Sequence, residues 1–182
     1  MNTRQIIHAI AHLKANSIGV YAADHVPRHL SLPAAVVSNI DTSDKPGSHW
    51  IAMYIDKNGY GIYFDSYGVP PLSKHHLDRL RRNCVRYRWN RKQLQSFDSR
   101  VCGEYCIMFL YAICNGLSLQ KFNRLFSLDT KKNDDLASKF YKKIAKKLKY
   151  KRSSRVNSIP QDANVRGGSC NQICTSMRNY VS

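Results

Sequence analysis

The chain has 182 residues and a formal net charge of +17, from 29 Lys+Arg against 12 Asp+Glu. This length suits one domain with a buried core, and the basic excess points to a polyanionic partner. No apolar run approaches the roughly 18 residues of a membrane-spanning helix, and MNTRQIIHAIAHLKANS lacks the apolar core of a signal peptide. The six cysteines show no paired C-x-x-C spacing, which favours reduced thiols over a secreted disulfide framework and predicts an intracellular protein.

Ile6, Ile10 and Leu13 recur at helical spacing, so residues 3–15 read as an amphipathic helix. GVYAADHVP, with Pro27 and Pro33, reads as a loop. The apolar and β-branched run AAVVSNI, residues 34–40, reads as a strand. Asp56-Lys57-Asn58-Gly59, set between WIAMYID and YGIYFD, is a strong hairpin signal. It predicts antiparallel strands over 49–55 and 60–65, which bring His49 and Asp65 to one edge of the sheet.

SYGVPP, residues 66–71, makes a turn, and residues 74–82 make a short basic helix. Val85, Tyr87 and Trp89 alternate with Arg86, Arg88 and Asn90 as in a half-exposed strand. From Cys102 to Gly116 the chain is apolar nearly all round, the pattern of a central buried helix, with Ser99 placed to cap it. LSLQKFNRLF reads as helical, and Leu136, Phe140, Ile144 and Leu148 form an apolar stripe opposite a lysine-rich face. The expected organisation is one domain over 1–150, ending in that basic helix, and a flexible tail over 151–182. The expected fold is α+β: a central helix carrying Cys102 packed on a mixed, mainly antiparallel sheet.

His49, Asp65, Gln95 and Cys102 supply, in that chain order, what thiol acyl transfer needs. A free cysteine is only a few per cent thiolate at neutral pH. An imidazole and a helix N-terminus both favour the anion. His49 serves as base and then acid, Asp65 fixes its tautomer, and Gln95 with the Cys102 backbone N–H stabilises the oxyanion. Trp50 points to the opposite side of the strand from His49 and packs or shields it. A zinc site from Cys102, Cys106 and His75 or His76 lacks the usual ligand spacing and would block the nucleophile. Cys106, one turn deeper, is assigned to packing.

The motifs GSHWIAMYID, YFDSYGVPP and LQSFDSRVCGEYCIMFL, with GVYAADHVP upstream, resemble the adenovirus maturation protease (adenain) family and its relatives in viruses and virus-like transposons. The resemblance covers roughly residues 5–126 and places that family's histidine, acid, glutamine and nucleophile on His49, Asp65, Gln95 and Cys102. SUMO-deconjugating proteases share this order of residues with a Gln-to-Cys spacing usually one shorter. The resemblance implies a cysteine endopeptidase that acts on precursor capsid or core proteins, in virions and in the host-cell nucleus or cytoplasm, as a monomer. The alternatives are a SUMO or ubiquitin-like deconjugating protease and an inactive DNA-binding capsid component.

The charge is concentrated in two stretches. RLRRNCVRYRWNRK contributes Arg79, Arg81, Arg82, Arg86 and Arg88, and the last helix contributes Lys142, Lys143, Lys146 and Lys147. They read as a sequence-independent nucleic-acid surface working through phosphate neutralisation, with a basic amphipathic helix on an anionic membrane as runner-up. The residues themselves require no cofactor. The resemblance adds DNA and a small activating peptide, the latter paired by disulfide with Cys84. Cys170 or Cys174 of the tail is a candidate for that peptide's part, and VRGGSC resembles the Gly-Gly sites such proteases cut.

Overall fold

The computed structural model describes residues 1–156. VRGGSC, Cys170, Cys174 and the rest of the expected tail beyond 156 lie outside the described residues. Five strands form one sheet in sequence order: β1 Ser17–Tyr21, β2 Ala34–Asn39, β3 Trp50–Ile55, β4 Tyr60–Phe64 and β5 Arg86–Trp89. The sheet is mixed, as expected. β2–β3 and β3–β4 are antiparallel, while β1–β2 and β4–β5 are parallel. The β3–β4 hairpin forms where Asn58-Gly59 predicts it. Gly59 takes the positive φ of 80° that the turn requires, and Asp56 Oδ1 accepts the N–H groups of Asn58 and Tyr60.

Helices α1 (Thr3–Ile10), α3 (Cys102–Cys114), α4 (Leu119–Asn123) and α5 (Thr130–Val156) each contribute buried apolar residues to one core against the sheet, and α2 (Lys74–Asn83) closes a smaller core on Val36, Ile51, Met53 and Tyr63. The side chains of α3 from Tyr105 to Ile113 are all buried, which is why that segment carries no polar face. Phe109 of α3 stacks on Phe64 of β4 at 4.4 Å between ring centroids, with Phe122 edge-on to both. This aromatic contact seats α3 under the hairpin, an arrangement worth about 0.5–1.5 kcal/mol per pair beyond burial.

Several element boundaries differ from the sequence expectation. α1 begins with a capping box between Asn2 and Gln5 but stops at Ile10, because Leu13 N–H bonds back to Ile10 O and tightens the chain toward β1. β1 replaces the expected loop at GVY. All five of its residues are half-buried, so no alternation marks it as a strand. Val85 is 79 % exposed, outside β5 rather than on its inner face, although Tyr87 and Trp89 do pack on the smaller core. Only Leu119–Asn123 of LSLQKFNRLF is α-helical. α5 runs to Val156, past the boundary expected at 150, with Phe140 and Ile144 of its stripe buried and Leu136 and Leu148 partly buried against the same core. No helix among the described residues is long and apolar enough to cross a membrane.

Candidate active site

The β3–β4 register pairs Ala52 with Phe64, so the residues flanking those strands, His49 and Asp65, meet at one end of the hairpin. His49 Nε2 lies 3.0 Å from Asp65 Oδ1, and both side chains are buried. The backbone of each is pinned by a neighbour. Ile40 N–H donates to His49 O, and the Asn90 amide clamps Asp65, accepting its N–H at 2.9 Å and donating to its carbonyl at 2.6 Å. Asp65 Oδ1 also accepts Tyr67 N–H at 2.8 Å. Asn90 is buried and stands at the end of β5, where the parallel β4–β5 pairing delivers it. Nothing in the local sequence marks it as a partner of Asp65.

Cys102 is the first residue of α3. The expected Ser99 cap is not present. Val101 occupies the N-cap position with no side-chain hydrogen bond, and Ser99 Oγ donates to Ser96 O instead. The first-turn N–H groups therefore lack a side-chain cap and are available to an anion. The His49 ring interacts with the Cys102 thiol, and with Nε2 committed to Asp65 the nitrogen left to face the sulfur is Nδ1. Burial pushes the thiol up. The His49 hydrogen bond, the backbone N–H of Trp50, the imidazolium charge and the N–H of Gly103 together outweigh it, so the thiol sits below its ordinary value. Burial pulls His49 down, and its hydrogen bonds and charge contacts with Asp65 and Cys102 raise it to about 9. Thiolate and imidazolium stabilise one another in this arrangement.

Gln95 is buried beside them, fixed at both ends of its amide. Ser66 Oγ donates to Gln95 Oε1 at 2.6 Å, and Gln95 Nε2 donates to Ser99 O at 3.1 Å. That bond uses one of the two amide hydrogens and leaves the other for an oxyanion. The loop carrying Gln95 is tied to α5, where Asn133 Nδ2 donates to Leu94 O and Asp134 accepts Ser96 N–H. His49, Trp50, Tyr67, Gln95, Arg100 and Cys102 line one cavity of about 620 Å³. Trp50 thus shares the cavity with His49, and its indole N–H donates to Met1 O.

The structure brings together all four residues of the expected constellation. It adds Ser66, Asn90 and the Ser99 carbonyl, which hold them in roles that no spacing rule assigns. Cys106 is fully buried and its thiol is pushed well up by that burial, as befits a packing residue. His76 binds Ser38 Oγ at 3.0 Å beneath α2, and no group of three His, Cys, Asp or Glu among the described residues could hold a metal ion. Cys84 packs its sulfur on Gly61, where even a Cβ would come within 2.5 Å of it, and burial pushes its thiol up to about 11.

The basic stretches divide. Arg79 donates to Val26 O and pairs with Asp78, and Arg82 pairs with the same carboxylate, so these two serve the fold of α2. Arg81, Arg86, Arg88, Lys142, Lys143 and Lys146 are exposed and Lys147 is half-exposed, with the Arg86 guanidinium over the Tyr60 ring at 4.5 Å.

No family model matches the chain. In sequence it is similar to a protein of Acanthamoeba polyphaga mimivirus named "Putative thiol protease R355", at 29% identity over 92 residues. That match covers 45% of this chain and 30% of the viral protein, so this chain matches less than a third of its relative's length. Among solved structures it aligns with the ASFV pS273R protease at a TM-score of 0.40 and 22% identity, over 57% of this chain and 42% of that one. The sequence similarity to a viral thiol protease agrees with the family resemblance of the motifs.

Proposed function

We propose that this chain is a cysteine endopeptidase with Cys102 as its nucleophile. The observation that carries the reading is the buried relay from Asp65 through His49 to a thiol at the first residue of a helix. In this reaction the Cys102 thiolate attacks the scissile carbonyl, and the carbonyl oxygen takes the negative charge. Gln95 Nε2–H and the Cys102 backbone N–H stabilise that oxyanion. His49 then delivers its proton to the leaving amine, the C–N bond breaks, and an acyl-thioester remains. Water, deprotonated by His49, hydrolyses the thioester and restores the thiol pair. Asp65 keeps Nε2 protonated throughout and so presents Nδ1 to the sulfur.

The substrates that fit this reading best are viral or transposon-encoded precursor proteins cut at sites rich in glycine, because glycine lets backbone pass close to a recessed thiol. The motif resemblance supports that class, together with action during particle maturation. The exposed lysines of α5 and the arginines of β5 support stimulation by DNA. Such binding should fall steeply with salt.

The test is to incubate the protein and a Cys102→Ala control with a Leu-x-Gly-Gly-x peptide, with and without DNA. Cleavage by the wild type alone supports the protease, and a faster rate with DNA supports the basic surface. Cleavage of a ubiquitin-like conjugate in place of the peptide would transfer the reading to a deconjugating protease. DNA binding with no cleavage of either substrate would leave a binding module.

A further inference from the structure

The cavity that holds Cys102 is lined by fixed charge of one sign. Among the described residues that line it, Arg100 is the one permanent cation and none is an aspartate or glutamate. The carboxylates on the segments that form its walls are engaged elsewhere. Asp65 lies behind His49, hydrogen-bonded to that ring and to Tyr67 N–H. Asp41 accepts the Ser48 hydroxyl at 2.6 Å, and Asp98 accepts the Ser96 hydroxyl. The uncapped start of α3 adds partial positive charge to the same space.

Arg100 is exposed and, among the described residues, has neither an ion pair nor a side-chain hydrogen bond, unlike Arg79 and Arg82. The contacts that set the Cys102 thiol come from His49, Trp50 and Gly103, so the guanidinium is not committed to the nucleophile either. An exposed arginine is ordinarily just solvated. This one stands in a concave site whose walls include Pro46, Trp50 and Tyr67, and low-dielectric walls concentrate the field of a charge on whatever enters. Its place is held on both sides along the chain, since Ser99 O accepts the Gln95 amide and Cys102 opens α3. Two residues span at most about 7 Å, which puts the Arg100 backbone within one or two substrate residues of the sulfur.

We propose that Arg100 is a specificity-determining residue that selects substrates carrying an acidic side chain within two residues of the scissile bond. This rests on the cysteine-protease reading above and names a feature of its substrates. The probes are the capped peptide Leu-Ala-Gly-Gly-Ala and its derivatives in which the Ala on either side of Gly-Gly is replaced in turn by Glu or Lys. The ratio kcat/KM is measured for each with wild type, Arg100→Lys, Arg100→Ala and Arg100→Glu. Binding of the same peptides to Cys102→Ala is measured in parallel, so the charge preference is read whether or not a peptide is cut.

At one of the two positions, wild type should favour the Glu peptide over the Ala parent by about 2- to 5-fold and disfavour the Lys peptide by a similar factor. Arg100→Lys, which keeps the charge, should retain most of that spread. Arg100→Ala should level it to whatever the net charge of the chain alone imposes, and Arg100→Glu should reverse the order. The spread should shrink as salt rises from about 0.05 to about 0.5 M. Cys102→Ala should bind the peptides in the wild-type order of preference.

Cleavage of the Glu, Ala and Lys peptides with equal kcat/KM would overturn the specificity role and leave the protease reading standing. A preference for Glu that survives in Arg100→Glu would also overturn it, since another group would then supply the charge. Tighter binding of the Glu peptide to Cys102→Ala, with no peptide cut by the wild type, would overturn the protease reading and leave the charge preference of the cleft in place. Neither binding nor cleavage of any of these peptides would overturn both.

Discussion

His49 Nε2 and Asp65 Oδ1 lie 3.0 Å apart with both side chains buried, although sixteen positions separate them in the chain. The hairpin places them together, and the Asn90 amide holds the acid's backbone in place. An amide in place of this carboxylate removes the charge that keeps Nε2 protonated and can stabilise the wrong tautomer. For Asp65→Asn we expect kcat to fall about 100- to 10,000-fold with little change in KM. The alkaline limit of activity should also move down from about 9, because Asp65 is the leading group raising His49. Steady-state kinetics across a pH series check both.

Activity should rise and fall with pH as a bell. The acid limb follows formation of the thiolate and lies below the ordinary thiol value, since Cys102 is held down. The alkaline limb follows loss of the His49 proton near pH 9. The two limbs belong to the coupled pair rather than to one residue each. Measuring kcat/KM against pH gives both, and an acid limb at or above the ordinary thiol value would contradict the ion pair.

Gln95→Ala should reduce kcat by about 100- to 1000-fold, the usual effect of losing one oxyanion donor. Ser66→Ala removes the hydroxyl that anchors Gln95 Oε1 at 2.6 Å, so it should reduce kcat less and in the same direction. If Ser66→Ala lowers kcat as much as Gln95→Ala, the donor depends wholly on that anchor. The double variant then tells whether the two act as one unit.

Acid stability should be limited by His76. It is fully buried and bonded to Ser38 through Nε2, with Nδ1 unpartnered. Burial, with the positive charge of neighbouring groups, lowers it from 6.5 to about 4. The folded state thus binds fewer protons than the unfolded state between those values, and stability is lost as pH falls through that window. The loss reaches on the order of 3 kcal/mol by the acid end. Thermal unfolding of wild type and His76→Gln across the window tests this, because the variant should show a flatter dependence.

The core beneath the site should be equally sensitive. Phe109 is fully buried between Phe64 and Phe122, so Phe109→Ala opens a cavity where α3 meets the hairpin. A loss of about 3–5 kcal/mol is expected, read by denaturant unfolding.

Particular residues explain what was legible in the sequence. Asn58-Gly59 determines a hairpin locally, so the meeting of His49 and Asp65 follows from a two-residue turn signal. The apolar run of α3 likewise announces a buried helix. The anchors of the site are of another kind. Asn90 reaches Asp65, and Ser66 reaches Gln95, through the parallel pairing of β5 and the return of residues 94–95 along Ser66, contacts between distant segments. No periodicity encodes them. Ser99 has the chemistry of a cap, yet Gln95 and Ser96 in the loop just before it engage its carbonyl and hydroxyl instead. The two parts of the basic surface differ for a similar reason: Asp78 lies on α2 within reach of Arg79 and Arg82 and neutralises part of their charge there.

The central claim is that His49 turns the Cys102 thiol into a thiolate within this fold. The most direct measurement is the rate of Cys102 alkylation by iodoacetamide as a function of pH, site-resolved by peptide mapping, in wild type and His49→Ala. The account predicts that wild-type Cys102 reacts below its ordinary titration range and that His49→Ala moves the profile up toward that range or beyond it, since burial is then opposed only by the Trp50 and Gly103 N–H groups. Superposed profiles for the two proteins would contradict it.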